Sequence, residues 1–325
     1  MRIARCYLKD SGREQVFHVM SRVVDRRQVF GDAEKGVLKR IMRQSEGFCG
    51  VEVMTYCLMG NHFHILLRVP ARPEVIESSE VFLRLGQAYP RDRVEAIRGR
   101  YDELAAGGRV EEAERHLDVF RRRMYDLSEF MKMVKQRFTQ WYNREYERSG
   151  TLWEARYKCY VVERERGSLR QVAAYIDLNP VAAGMVSDPG EYEWSGFGEA
   201  VRGAAVARWG IYRAAGYDFR GRGSRSSALR EYGAYLRERC GRKKGEENRM
   251  STELSLFRES VRALANSLAA GSREFIEIFS MERNRSDFPM ADPERFQCVG
   301  AERIFYLRRR RRSGASLNSG GGLTR

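Results

Sequence analysis

The stretch Tyr56-Cys57-Leu58-Met59-Gly60-Asn61-His62-Phe63-His64-Ile65-Leu66-Leu67-Arg68-Val69 decides how the chain folds. It reads as the end of one strand, a tight turn at Gly60-Asn61, and a second strand of mostly apolar residues closed by Pro70. Successive side chains on a strand face opposite ways, so His62 and His64 share one face while Phe63 points to the other. Neutral imidazole is the commonest side-chain ligand for divalent transition metals, and two on one face make half of a metal site. The whole chain holds four histidines, and two of them are here. A bare His-x-His is nevertheless more often a pair of half-buried strand residues, so the motif acquires meaning only from what surrounds it.

Working outward, Gln15 to Val24 alternates as a strand, Asp32 is placed to cap a helix running to about Gln44, and Glu52 to Leu58 returns to strand character. Strand, helix, strand, tight turn, strand predicts a helix packed on one face of an antiparallel sheet, the start of a ferredoxin-like α+β fold. Residues 71–125 interrupt that rhythm with two charged helical stretches, Arg91 to Ala106 and Arg109 to Met124, read as an inserted helical hairpin. Ser128 is a plausible N-cap for a helix from Glu129 to about Tyr146, whose apolar stripe is Phe130, Val134, Phe138, Trp141 and Tyr142. Lys132, Lys135 and Arg144 lie off that stripe and are candidate phosphate contacts. The segment Gly150 to Lys158 clusters aromatic and basic groups, with Arg156 and Lys158 as further DNA-contact candidates, before a strand from Cys159 to Val162. Ser168 opens a helix from Leu169 to Leu178 that Pro180 stops, and the i, i+4 pair Tyr175 and Asn179 projects from one of its faces. Residues 201–227 read as a linker, 228–307 as a helical C-terminal region that includes Leu229 to Arg239 and Glu253 to Ala269, and 308–325 as a basic disordered tail.

The 325 residues carry a formal charge of +15, most of it from arginine, with a pI near 9.7 and a mean hydropathy of −0.58. Such an excess of planar, bidentate cations points to a polyanion partner. No apolar run approaches the ~18 residues that a membrane-spanning helix needs, and the start Met1-Arg2-Ile3-Ala4-Arg5 lacks a signal-peptide core, so a cytoplasmic protein is expected. Six cysteines at 6, 49, 57, 159, 240 and 298 show no Cys-x-x-Cys spacing, which argues against a zinc ribbon or a disulfide framework.

A paired-histidine strand, a later helix bearing a tyrosine and an amide, and an arginine-rich surface together suit metal-assisted cleavage of a DNA phosphodiester by tyrosine. At this point the sequence resembles a known family. His62-Phe63-His64 matches the HUH motif, and the run Tyr175-Ile176-Asp177-Leu178-Asn179-Pro180-Val181-Ala182-Ala183-Gly184-Met185-Val186 resembles the catalytic-tyrosine helix of REP-associated tyrosine transposases, within the single-tyrosine HUH superfamily. Gly150-Thr151-Leu152-Trp153-Glu154-Ala155-Arg156-Tyr157-Lys158 is similar to another segment of that family. The resemblance spans about residues 15 to 200, within an expected first domain of residues 1–200. It implies an HUH endonuclease core, Mg²⁺ or Mn²⁺, a 5′-phosphotyrosine intermediate and single-stranded DNA carrying hairpins, acted on by a monomer or homodimer. It further implies Tyr175 as nucleophile and His62 and His64 as metal ligands, with Asn179 where the superfamily has a Gln or Asn ligand. The insertion from Ala71 to Arg123 departs from the compact members. Two readings from other classes use the same residues: a protein that grips DNA hairpins without cutting, and an RNA-binding ferredoxin-like protein with stacking aromatics on its sheet.

Overall fold

Apolar residues at alternate positions bring β1 (Gln15–Arg22) and β3 (His62–Val69) together as antiparallel neighbours, from Gln15 opposite Val69 to Arg22 opposite His62. The structure is a computed structural model in which residues 13–216, 225–240, 267–282 and 305–308 are described. A helix, α1 (Asp32–Cys49), connects β1 to β2 (Glu52–Leu58), which pairs antiparallel with β3 across the Gly60-Asn61 turn. The helix α5 (Leu127–Glu145) leads to β4 (Lys158–Val162), antiparallel to β1 on its other side. The order β2-β3-β1-β4 is therefore that of a βαββαβ unit, as the sequence pattern predicts.

The sequence expectation of helices on one face of an antiparallel sheet is corrected in two respects. First, both faces are covered. One carries α1 and α5, packed through Leu38, Ile41, Phe48, Phe130, Val134 and Phe138 onto Phe17, Val19, Phe63 and Ile65. The other carries α6 (Arg166–Asp177), α8 (Gly196–Val201), α9 (Ala205–Ala214) and α10 (Arg225–Arg239), packed onto Val16, Cys57, Leu66, Tyr160 and Val162. Strands buried on both sides read as nearly continuous apolar runs, which hides the second layer from a pattern search. Second, the sheet is mixed. Residues 267–269, expected as the end of a helix, instead belong to β5 (Ser267–Gly271), parallel to β4, and β6 (Phe305–Arg308) pairs antiparallel with β5, with α11 (Arg273–Glu282) between them.

The supposed linker 201–227 contains α9, and Gly210 shows why it is no spacer: a Cβ there would fall 2.4 Å from the Met54 carbonyl oxygen and 2.7 Å from that of Val53. The helix backbone is pressed against β2, an approach that only glycine permits. The insertion holds three helices rather than two, α2 (Ser78–Ala88), α3 (Arg91–Ala106) and α4 (Val110–Arg121). Its ends are tied together by Arg72, which donates to the Met124 carbonyl at 2.9 Å, and to α1 by Tyr125 N–H on the Cys49 carbonyl. The cap of α5 is Asp126, whose carboxylate accepts from the N–H groups of Ser128 and Glu129, so Ser128 lies inside the first turn. Likewise Ser168 lies within α6, and the chain continues beyond it into a short helical turn, α7 (Asn179–Ala182), with Pro180 in its first turn where a missing N–H costs nothing. The tail 309–325, most of Glu253 to Ala269 and the cysteines 6 and 298 lie outside the described residues. Cys49, Cys57, Cys159 and Cys240 are buried. No described helix is long and apolar enough to cross a membrane.

The second layer is pinned by Asp177 at the end of α6, fully buried, whose carboxyl accepts from the Thr55 hydroxyl (2.8 Å), the Tyr232 hydroxyl (2.7 Å) and the Phe197 N–H (3.1 Å). It joins β2, α6, α8 and α10 at one point. Burial pushes its pKa from 3.8 up to about 7, against the pull of those hydrogen bonds. The fold thus keeps a proton that the unfolded chain releases, so the stabilisation is complete below the unfolded value and is lost as pH rises through about 7. Relative to Asp177→Asn, the wild type should lose up to about 4 kcal/mol of unfolding free energy between pH 4 and pH 8. Denaturant titrations of both proteins across that range measure it, and a constant difference would refute it.

Candidate functional site

The register of β1 on β3 sets Met20 opposite His64 and His18 opposite Leu66, so His18, His64 and His62 share the face covered by α6. His18 and His64 stack with ring centroids 5.0 Å apart and planes within 5°, and His18 Nε2 lies 2.9 Å from His64 Nδ1. His62 meets His64 edge to face at 5.2 Å. Above them α6 brings Tyr175 edge-on to His64 at 5.3 Å and to His18 at 5.9 Å. Tyr175, His62 and His64, far apart in sequence, are thus gathered at one place. Asn179 follows one turn on: its Nδ2 donates to the Tyr175 carbonyl at 2.8 Å, which leaves the amide Oδ1 as its acceptor atom.

The hydrogen bonds also select tautomers. Asn61 Nδ2 donates to the Arg26 carbonyl at 2.7 Å, which turns its Oδ1 toward His62 Nδ1, also at 2.7 Å. An acceptor at that distance requires His62 Nδ1 to carry the proton, so its Nε2 keeps a lone pair. If His64 Nδ1 donates to His18 Nε2 in the same way, His64 Nε2 is likewise free to ligate, which is the outer-shell pattern of metal-binding histidines. Burial keeps all three rings neutral: it lowers the pKa of His18 to about 3, of His62 to about 4, and of His64 well below its ordinary value, with neighbouring charge adding to the last two. Burial pushes the Tyr175 phenol the other way, to about 12, opposed by a hydrogen bond with Asn179 and by the Arg22 guanidinium.

The donor set fits a divalent cation in part. His62 and His64 are adjacent on one face of β3, but among the described residues no group of three His, Cys, Asp or Glu side chains could hold a metal ion. Any cation here would rely on the Asn179 amide and on substrate or water oxygens to complete its shell.

The five DNA-contact candidates divide. Lys158 begins β4 opposite Met20, on the histidine face, and Arg156 precedes it in the exposed loop. Lys132, Lys135 and Arg144 are on α5, against the opposite face of the sheet. Lys135 faces inward: its Nζ donates to the Ala155 carbonyl at 2.8 Å and stands 5.2 Å from the centre of the Trp153 ring, and burial lowers its pKa to about 8. Trp153 is itself buried against Phe30, Phe63 and Phe138, which removes it from base stacking. With helices over both faces, the first four strands offer no open sheet face for the stacking aromatics of an RNA-binding reading. Two residues of the site escaped sequence reasoning, His18 and Arg22. The available signal was that His18 is a third histidine of four, on a strand that must pair with the His-x-His strand.

Residues 13–80, from the approach to β1 into α2, match the family model described as transposase, IS200 like. That segment contains His18, Arg22, His62 and His64. Among solved structures, the chain is similar to one described as the REP-associated tyrosine transposase bound to a REP hairpin, at 13% identity and a TM-score of 0.39, over 62% of this chain and 86% of that one. Among curated proteins, none matches.

The contrast between Lys135 and Lys132 can be measured. Lys135→Ala removes the bond to Ala155 and the cover of Trp153, and should lower the unfolding free energy by about 1–2 kcal/mol. Lys132 is exposed and, among the described residues, meets only Glu129 at 3.2 Å, so Lys132→Ala should cost less than about 0.5 kcal/mol. Equal losses in thermal or urea unfolding would show that Lys135 does not anchor the 150–157 loop.

Proposed function

We propose that the chain nicks and rejoins single-stranded DNA that carries hairpins, as a metal-dependent endonuclease and strand transferase of the transposase type, with Tyr175 as nucleophile. The observation that carries the reading is the Tyr175 ring standing edge-on at 5.3 Å over His64, beside His62 and Asn179. The match of residues 13–80 to IS200-like transposases, and the resemblance of Tyr175 to Val186 to a catalytic-tyrosine helix, support it.

In this reading the Tyr175 oxygen attacks the scissile phosphorus, a P–O bond forms and the P–O3′ bond breaks. The 3′ oxygen leaves with the bonding pair and takes up a proton equivalent to the one the phenol gives up. The product is a 5′-phosphotyrosine and a free 3′-hydroxyl, and attack by a 3′-hydroxyl reverses the step without input of energy. A phenol with a pKa pushed up to about 12 is almost wholly protonated at neutral pH, so Tyr175 reacts only where its charge is stabilised as it develops. His62, His64 and Asn179 would hold Mg²⁺ or Mn²⁺, which supplies Lewis-acid polarisation of the phosphate when bound. Asn61 and His18 hold the two ligand rings in orientation.

The test is incubation with hairpin-bearing single-stranded DNA and Mn²⁺, followed by a search for a covalent adduct. Tyr175→Phe removes one oxygen and should abolish both cleavage and adduct while leaving folding and hairpin binding nearly intact. His62→Ala and His64→Ala should abolish cleavage and also weaken Mn²⁺ binding, read independently by electron paramagnetic resonance. Binding without any adduct would select the non-cleaving alternative. An adduct mapped by mass spectrometry to Tyr142, Tyr157 or Tyr160 would overturn the assignment of Tyr175.

A further inference from the structure

Several half-buried arginines among the described residues meet two carboxylates each: Arg43 pairs with Glu46 and Glu199, Arg68 with Glu14 and Glu52, and Arg121 with Glu114 and Asp118. Arg22 is placed differently. It closes β1 directly opposite His62, which puts its side chain on the same sheet face as His62 and His64. It is half-buried, and among the described residues no acidic side chain pairs with it. Its backbone is held firmly, since the Arg22 carbonyl accepts from the Glu154 N–H at 3.0 Å and the neighbouring Val23 forms a bridge to Trp153. The guanidinium lowers the pKa of His62, His64 and Tyr175 alike, so its charge is felt at those three side chains. A half-buried cation without a counter-charge is costly unless an anion arrives with the substrate.

We propose that Arg22 is a catalytic residue that binds a non-bridging oxygen of the phosphate attacked by Tyr175 and carries part of the charge that gathers there in the transition state. This rests on the reading of Tyr175 as nucleophile. Arg22 forms no covalent bond and transfers no proton; it acts as a fixed donor fork matched to phosphate geometry, strongest when charge on the equatorial oxygens is greatest.

The experiment measures single-turnover cleavage by the wild type, Arg22→Ala and Arg22→Lys of the full chain, on a hairpin-bearing strand that the wild type cuts. The scissile linkage is either a phosphodiester or a methylphosphonate, which lacks the charge on one non-bridging oxygen. On the phosphodiester, Arg22→Ala should lose about 10²–10³-fold in rate, with Arg22→Lys recovering part of it and affinity for the uncut strand nearly unchanged. On the methylphosphonate diastereomer that places the neutral group at Arg22, the Ala variant and the wild type should cut at similar rates, because the charge that Arg22 serves is gone. An equal loss on both linkages would assign Arg22 a structural role and overturn the inference, as would no loss on either. A wild type that forms no adduct on Tyr175 overturns the underlying reading and this inference with it; a wild type that does so while Arg22→Ala matches it overturns the inference alone.

Discussion

The pairing of β1 with β3 is the constraint on which the site depends. Side chains alternate along a strand, so a slip of one residue would carry His18, Met20 and Arg22 to the face of α1 and α5 and leave Val19 and Phe17 toward α6. The register is secured by that same alternation: Phe17, Val19, Phe63, Ile65 and Leu67 all belong to the first core, and none could be exchanged for a histidine without burying an imidazole among aromatic rings. Packing on one face thereby sets the chemistry on the other. The turn ahead of His62 is locked from outside as well, with the Gly60 carbonyl accepting from both Val29 and Phe30 and Asn61 reaching the Arg26 carbonyl. Asp25 and Arg26 take positive φ angles of 57° and 55°, a conformation unfavourable for residues with a Cβ, and it is Arg26 whose carbonyl sets the Asn61 amide and through it the His62 proton.

The second layer holds the other half of the site. Tyr175 is positioned by α6, and α6 is fixed by Val172, Ala173, Ala174 and Ile176 in the core and by Asp177 at its end. Tyr175 and Asp177 point in different directions from the same helix turn, one over the histidines and the other into the junction of β2, α8 and α10. The nucleophile candidate is thus braced by a carboxyl two residues away that takes no part in the site. The C-terminal strand β5 adds to the brace, because Glu163 after β4 accepts from both the Ser168 hydroxyl at the start of α6 and the Ser272 hydroxyl after β5. Chain far beyond the tyrosine therefore steadies the helix that presents it.

Where the sequence was legible, the reason is local. The limits of β2 and α3 and the end of β3 follow from alternation, charge and Pro70, and each was read within a residue of its observed position. The convergence of Tyr175 on His62 and His64 was legible through spacing and resemblance. His18 and Arg22 were not, because their place depends on which strand neighbours β1 and in which register, a fact of tertiary pairing. The helix α9 falls within residues 201–227, expected as a linker, although Gly210 there marks a close contact with β2 rather than freedom of the chain. Lys135 was misplaced because periodicity distinguishes the apolar stripe of a helix from the remainder, and a long amphipathic side chain can bury its stem from the edge of the stripe.

The electrostatics of the site pull against one another, and the opposition has a chemical use. The same desolvation that keeps three imidazoles neutral, and so competent as ligands or acceptors, holds the phenol protonated. A site that strips water from a nucleophile without offering it a counter-charge would only raise the barrier to its reaction. Arg22 offers the beginning of one, since its field lowers the phenol's pKa while making the imidazoles still harder to protonate. A single fixed cation therefore shifts His62, His64 and Tyr175 toward their deprotonated forms. Burial outweighs that bias at Tyr175, whose pKa stays above its ordinary value.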